Sequence, residues 1–255
     1  VATAEQVYAA AMSRPFQGRL LSEWASGIEA QRMTRIRDAV RIGYVENESV
    51  QQIVRRVRGT RAAGYSDGLI EIDRRHAEAV VRTAVQHVAA VAQDRMIEAN
   101  LDLIKSVQWH AKLDLRTSPT CRVRDGLLYT PDTHKPIGHK VPWLSGPGRS
   151  HWNCRSLAVQ MLKSFEEVTG IAGVGEIPVG TRASMDGALP ADLTYGQWLQ
   201  KQSAARQDEV VGPTRGALMR EGKLPFDELY SRRGEMLTLD QLRERNGAAF
   251  KRAGV

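Results

Sequence analysis

Both cysteines of this 255-residue chain lie in one segment, residues 107–156, which also concentrates histidine, arginine and tryptophan. Cys121 and the His151-x-x-Cys154 spacing offer three ligands of the types that zinc prefers. A closed structural zinc site needs four ligands, so the fourth would come from Asp125, His134 or His139. The alternative interpretation is two reduced thiols beside a hydrogen-bonding histidine.

Metal-dependent nuclease chemistry is a second possibility for this region, because histidine can activate water while a divalent ion holds phosphate. The side chains considered for it are His110, His134, His139, His151 and Asn153. No acidic pair stands where it would hold the metal. The chain also lacks a glycine-rich phosphate loop and a Gly-x-Ser-x-Gly motif. We therefore predict that the protein is not an enzyme, with no cofactor, and keep a nuclease or a zinc-stabilised DNA-binding module as alternatives.

Arginine dominates two stretches of a chain whose formal net charge is +7. Residues 32–61 hold eight arginines against three acids, and residues 112–155 hold eight basic residues against three acids. Arginine suits bidentate contact with phosphate or carboxylate, although a solvated surface would have the same composition. The predicted contacts with nucleic acid or an acidic partner are Arg32, Arg35, Arg55, Arg56, Arg58, Arg122, Arg124, Lys140 and Arg149.

The elements that position these residues follow from hydrophobic periodicity. Apolar residues at helical spacing predict one long helix over residues 73–100. Alternation of Val107, Trp109, Ala111 and Leu113 with polar residues predicts a half-buried strand. A loop-rich stretch with a short strand at 127–130 follows, then a glycine-rich linker at 174–193. Short helices are predicted after it at 195–202, 214–221, 226–230 and 239–245.

We accordingly predict a mainly helical α+β protein in three parts. An N-terminal helical region covers residues 1–62, a central domain of long helix, small β-sheet and loop-rich closure covers 63–172, and a linker with a C-terminal arm of short helices covers 173–255. No apolar run approaches the roughly 20 residues that span a bilayer, so no membrane partner is expected. Two cysteines in a chain of this length favour a reducing compartment.

The segment resembles the phage Mu F-like family of minor head proteins of tailed bacteriophages. The resemblance rests on an Arg-Thr helix, on a central block from residue 107 to an Asp-Gly pair, and on a closing His-Trp-Asn-Cys-Arg. Its signature residues are Arg82, Thr83, Asp114, Arg116, Thr117, Cys121, Asp125, Gly126, His151, Asn153, Cys154 and Arg155. Fuller versions of the pattern carry a second cysteine where this chain has Arg124 and again where it has Ser156.

The resemblance implies a structural role in head morphogenesis, DNA packaging or ejection. It implies portal protein or major capsid protein as partners, with several copies around the portal and double-stranded DNA nearby. It also implies a place inside the virion head, after assembly in the host cytoplasm. If the fuller pattern is a metal site, this copy has lost half of its thiolates, and Cys121 and Cys154 lie close together without metal.

Overall fold

The computed structural model describes residues 9, 13–15, 19–46, 48–171 and 180–255. Contacts divide the chain into two compact units, which we call the helical unit and the sheet unit. The helical unit comprises Ala2–Ala92 and His151–Asn153, and the sheet unit comprises Gln93–Ser150 and Cys154–Val255. The three-part organisation stays a prediction.

Three helices account for most of the described part of the helical unit: α1 (Leu21–Val45), α2 (Val50–Arg58) and α3 (Leu69–Glu98), the last crossing the unit boundary. α3 confirms the predicted long helix. α2 begins at a capping box, in which Ser49 Oγ accepts from the Gln52 amide and Gln52 Oε1 accepts from the Ser49 amide. Gly43 lets α1 approach α2, since a Cβ there would lie 2.4 Å from Ile53 Cγ1.

A four-stranded antiparallel sheet forms the centre of the sheet unit. Its strands are β1 (Ile104–His110), β2 (Leu128–Tyr129), β3 (Pro136–Ile137) and β4 (Leu157–Leu162), in the order β3-β2-β1-β4. The predicted alternation is confirmed: Val107, Trp109, Ala111 and Leu113 are all buried. The predicted short strand after residue 127 is β2.

The remainder of the sheet unit alternates short helices with one hairpin. The elements are α4 (Pro119–Arg122), α5 (Phe165–Thr169), β5 (Thr181–Ser184), β6 (Gly187–Pro190), α6 (Tyr195–Gln200), α7 (Ala204–Val211), α8 (Pro213–Arg220), a 3₁₀ turn (Phe226–Leu229) and α9 (Leu239–Ala253). Where a linker is predicted, residues 181–190 instead form the β5-β6 hairpin. Met185 and Asp186 form its turn, between the paired residues Ser184 and Gly187, and Gly187 has φ +107°. An Asp-Gly pair is a hairpin signal, which the composition of the stretch had outweighed. Residues 174–179 of that predicted linker lie outside the described residues.

Two apolar clusters make the core of the sheet unit. One gathers the C-terminal helices around Leu113, and its fully buried members include Tyr195, Trp198, Leu218 and Leu242. The other surrounds Trp109 and holds Ile97, Val107, Cys121, Tyr129 and Cys154. The short helices are thus stabilised by docking on a shared core rather than by their own length. The observed architecture is α+β and mainly helical, as predicted. Among the described residues, no helix is both long and apolar enough to cross a membrane.

Candidate functional site in the signature segment

The first cysteine of the signature is positioned by a short capped helix. Ser118 caps α4, its side chain accepting a 3.3 Å hydrogen bond from the Cys121 amide, and Pro119 occupies the first turn. Proline suits that position because the missing N–H would have no helical partner there. The sequence Ser-Pro-Thr-Cys therefore turns Cys121 into the core, where its exposure is 1%.

Cys121 meets Cys154, which lies just before β4 and is also fully buried. Their Sγ atoms are 3.7 Å apart, a thiol–thiol contact and much longer than the roughly 2.05 Å of a disulfide. The hydrogen bond with Cys154, followed by burial, raises the pKa of the Cys121 thiol far above its usual value. The Cys121 thiol is therefore held in its neutral form, which is a poor nucleophile.

The two positions that depart from the fuller family pattern support the fold around this pair. Arg124 donates from Nη1 to the Thr120 carbonyl (2.7 Å) and from Nε to the Pro142 carbonyl (2.9 Å). Its guanidinium also lies 5.7 Å from the centre of the Trp109 ring. Ser156 is buried and its side chain hydrogen-bonds Cys121. A cation and a hydroxyl thus stand where a four-ligand zinc site would need thiolates.

The predicted metal ligands divide between the units: the thiols belong to the sheet unit and His151 to the helical unit. Within the sheet unit, the two thiols with Arg124 nearby do not fit a closed zinc site. Zinc binding by Cys121, His151 and Cys154 stays a prediction.

Asp125 is the most deeply buried acid of the signature, with a side chain that is 0% exposed. It accepts from the amides of Ala111 (2.7 Å) and Tyr195 (2.6 Å). Arg182 of β5 closes the arrangement with two hydrogen bonds of 2.8 and 3.0 Å to the carboxylate. One side chain thereby joins the end of β1, the hairpin and the start of α6, so this ion pair is structural.

Asp114 is a second carboxylate that holds several segments together, and we call its contacts the Asp114 junction. Arg155 contacts both of its carboxylate oxygens, and the Thr117 hydroxyl and Arg116 amide donate to Oδ1 at 3.1 and 3.0 Å. Burial alone would raise the pKa of Asp114, but these hydrogen bonds and the charge of Arg155 outweigh it and lower the pKa. The Tyr195 hydroxyl donates to the Asp114 carbonyl at 2.9 Å.

Other signature residues shape the backbone. Gly126 has φ +83°, and a Cβ there would lie 2.9 Å from Thr194 Cγ2, so glycine is required. Within the helical unit, the Asn153 amide donates to Thr83 Oγ1 at 3.1 Å, with Asn153 at φ +54°. Arg82 is exposed on α3.

Most of the histidines considered for nuclease chemistry make contacts with neighbouring residues of the fold. His139 Nε2 is 2.9 Å from the Leu128 carbonyl, and His134 stacks on Trp143 at 4.5 Å. Burial lowers the pKa of His134 and, with the charge of Arg182, that of His110. His151 Nδ1 lies 2.9 Å from the Trp152 carbonyl. Among the residues that the structure describes, these histidines do not gather with one another into a metal-binding group.

The predicted contact residues fall into two groups. Arg32, Arg55, Arg58 and Lys140 are exposed, and Arg35 and Arg56 are half-buried. The others are already engaged in the sheet unit. Arg149 makes a bidentate pair with Asp94 at 2.6 and 3.3 Å.

Arg122 is 8% exposed and donates to the carbonyls of Val210 (2.7 Å) and Leu115 (3.2 Å). Contact of Arg122 or Arg124 with DNA would require each to leave its carbonyls. The structure therefore gives these two arginines structural contacts, and their contact with nucleic acid or an acidic partner stays a prediction.

Sequence reasoning gave no role to two residues that pair with predicted site residues: Arg182, which pairs with Asp125, and Asp94, which pairs with Arg149. The one signal in the sequence was the charge of Asp125 and Arg149, because a charged side chain that becomes buried needs a partner of opposite charge. Because the partners are 57 and 55 residues away, local spacing does not reveal them.

Taken together, the contacts define an α+β fold that most of the signature residues described above support. Residues 31–159 match the family described as Phage Mu protein F like protein. Since the match covers half of the chain, the chain belongs to this family, which confirms the resemblance. The family indicates a bacteriophage head morphogenesis protein located in the virion, compatible with a role that is not enzymatic. The comparisons with curated proteins and with solved structures each found no match.

Proposed function

We propose that the protein is a minor head protein of a tailed bacteriophage, lying inside the capsid beside packaged DNA and bound to portal or major capsid subunits. Family membership supports a head protein, and the distribution of arginine supports the DNA-facing part of the proposal. The protein acts in head morphogenesis, DNA packaging or ejection, and it assembles in the host cytoplasm as one of several copies around the portal.

The observation that carries the DNA-facing part is the exposed arginine surface of α2. Its last turn holds the exposed Arg55 and Arg58, and a third exposed arginine, Arg61, follows in the loop. Packaged DNA presents a dense array of phosphates, and exposed arginines bind phosphate while releasing counterions. The formal net charge of the whole chain, +7, also favours association with DNA phosphates.

The partner test is co-purification. The tagged full chain is incubated separately with portal protein and major capsid protein of the same phage, and purified heads are analysed for the chain by mass spectrometry. We expect retention by one partner and recovery from heads at low copy number. Absence from heads together with no retention by either partner would contradict the proposal.

Catalysis is tested on the same preparation. We expect plasmid DNA to stay intact during incubation with Mg²⁺ or Mn²⁺. Cleavage by the wild-type chain that is lost on His151→Ala would instead establish the nuclease alternative.

A further inference from the structure

A pocket of about 380 Å³ opens at the C-terminal end of α2, within the helical unit. We call it the arginine pocket; it is lined by Val54, Arg55, Arg58, Gly59, Thr60, Arg61 and Tyr65. None of the signature residues contributes to it. It is therefore a separate candidate site, and three of its seven lining residues carry guanidinium groups.

The loop that forms the pocket wall is internally braced. The Thr60 amide and hydroxyl donate to the two carboxylate oxygens of Asp67, each at 2.8 Å. Gly59 begins the loop at φ +92°, where a Cβ would lie 2.8 Å from the Tyr65 carbonyl oxygen. The Tyr65 amide donates a 2.8 Å hydrogen bond to the Thr60 carbonyl. These contacts preform the pocket before any ligand arrives, which lowers the cost of binding.

The arginines of α2 differ in how their charge is used. Arg56, outside the pocket, pairs with Glu46 at 2.9 Å and with Glu48 at 2.5 Å. The hydrogen bond that Arg56 donates to Glu48 is the largest cause of the raised pKa of Arg56. In the part of the chain that the structure describes, no carboxylate pairs with Arg55, Arg58 or Arg61. The nearby acid, Asp67, already accepts two hydrogen bonds from Thr60.

Tyr65 orients one of the three guanidiniums. The Arg58 guanidinium lies 4.7 Å from the centre of the Tyr65 ring, and Arg58 Nη2 donates to the Tyr65 hydroxyl at 3.4 Å. Stacking fixes the guanidinium plane while leaving other N–H groups along its edge for a ligand. The Tyr65 hydroxyl, used as an acceptor, retains its own proton to donate.

This chemistry fits an anion with several acceptor oxygens. Three planar donor forks exceed what one carboxylate can accept, whereas successive phosphates supply an oxygen pair to each fork. We propose that the arginine pocket binds backbone phosphates of double-stranded DNA. The choice of DNA as the phosphate source rests on the proposed function; the pocket and its charge do not.

The experiment measures affinity of the full chain for a short fluorescent duplex between about 50 and 200 mM salt. The pocket variant is Arg55→Gln/Arg58→Gln/Arg61→Gln. Its matched control is Arg232→Gln/Arg233→Gln/Arg245→Gln, three exposed arginines of the sheet unit. Both variants lower the formal net charge of +7 by three, so they differ only in where the charge is removed.

We expect the pocket variant to bind the duplex at least about tenfold more weakly, since each charge-assisted hydrogen bond contributes roughly a factor of ten. Its slope of log affinity against log salt should be shallower by about 2 to 3, because each lost phosphate contact removes about 0.9. The control variant should keep most of the wild-type duplex affinity and most of the wild-type salt slope. Equal losses in the two variants, or no loss in either, would overturn the proposal.

Folding and ligand source are checked in parallel. If circular dichroism shows the triple variant unfolded, Arg55→Gln/Arg61→Gln preserves the Arg58–Tyr65 contact and should lower the slope by about 2. Saturable binding of inorganic phosphate or a mononucleotide, without a pocket effect on duplex affinity, overturns the assignment to DNA. Recovery from heads without pocket-dependent DNA affinity leaves the assignment as a head protein intact, and it removes this inference together with the DNA-facing part of the proposed function.

Discussion

The two arginine-rich stretches have the same net charge in sequence, +5 each, yet the arginines named below differ in burial and in their partners. In residues 112–155, Arg122 and Arg124 are buried on backbone carbonyls and Arg149 is paired with Asp94. In residues 32–61, Arg55, Arg58 and Arg61 remain exposed around a pocket. Net charge therefore measures composition, while burial and partners decide whether an arginine supports the fold or is available to a ligand.

The largest test of this contrast is Asp125→Ala in the sheet unit. It leaves Arg182 as an unpaired buried charge and two buried amides without their acceptor. We expect the free energy of unfolding in urea to fall by about 3 to 5 kcal/mol. Glu46→Gln, which removes an exposed partner of Arg56 in the helical unit, should cost less than about 1 kcal/mol. Similar losses of unfolding free energy in the two variants would contradict this contrast between buried and exposed charges.

The same substitution made in each stretch should produce opposite phenotypes. Arg124→Met removes charged donors from two buried carbonyls, so we expect a loss of about 1 to 3 kcal/mol of stability. Arg55→Met changes an exposed residue and should alter stability by no more than about 0.5 kcal/mol. Duplex affinity should instead fall for Arg55→Met and hold for Arg124→Met at temperatures where both are folded. Urea unfolding and DNA titration on both variants decide the matter.

Acid should weaken the Asp114 junction. The pKa of Asp114 is lowered in the folded protein, so its stabilising contribution is complete above the unfolded value of about 3.9 and is lost as pH falls through the folded pKa. Asp114→Asn should therefore cost about 1 to 2 kcal/mol near pH 7, since Arg155 is partly exposed. The wild-type advantage should shrink below about pH 4 in urea unfolding measured across pH. An advantage independent of pH would show that the carboxylate charge is not involved.

The smallest expected effect concerns the thiol pair. If Cys154 contributes packing only, Cys154→Ala should lower stability by about 1 kcal/mol through the small cavity that it leaves. A chelator should then leave the thermal midpoint of the wild-type chain unchanged. A marked drop with chelator, accompanied by stoichiometric zinc in elemental analysis, would favour the metal prediction.

Local pattern was sufficient for several elements. The alternation around Trp109 predicted β1, and the apolar spacing of α3 predicted the long helix, because each element must turn one apolar face to a core. The β5-β6 hairpin was missed because small residues and glycine outweighed its Asp-Gly turn signal. α7 was not predicted. α9 follows the predicted helix as far as a break at Asn246 (φ −128°), after which a second helical segment buries Ala249 and Phe250 in the core.

The sequence by itself determined the family, the α+β class and the excess of arginine, because motif spacing and charge are properties of the chain alone. Only the tertiary structure decided which charges are neutralised. Asp125 meets Arg182 across 57 residues and Arg149 meets Asp94 across 55, whereas Arg55, Arg58 and Arg61 meet no described carboxylate. Electrostatic partnership depends on distance and burial in three dimensions, and neither can be read from separation along the chain.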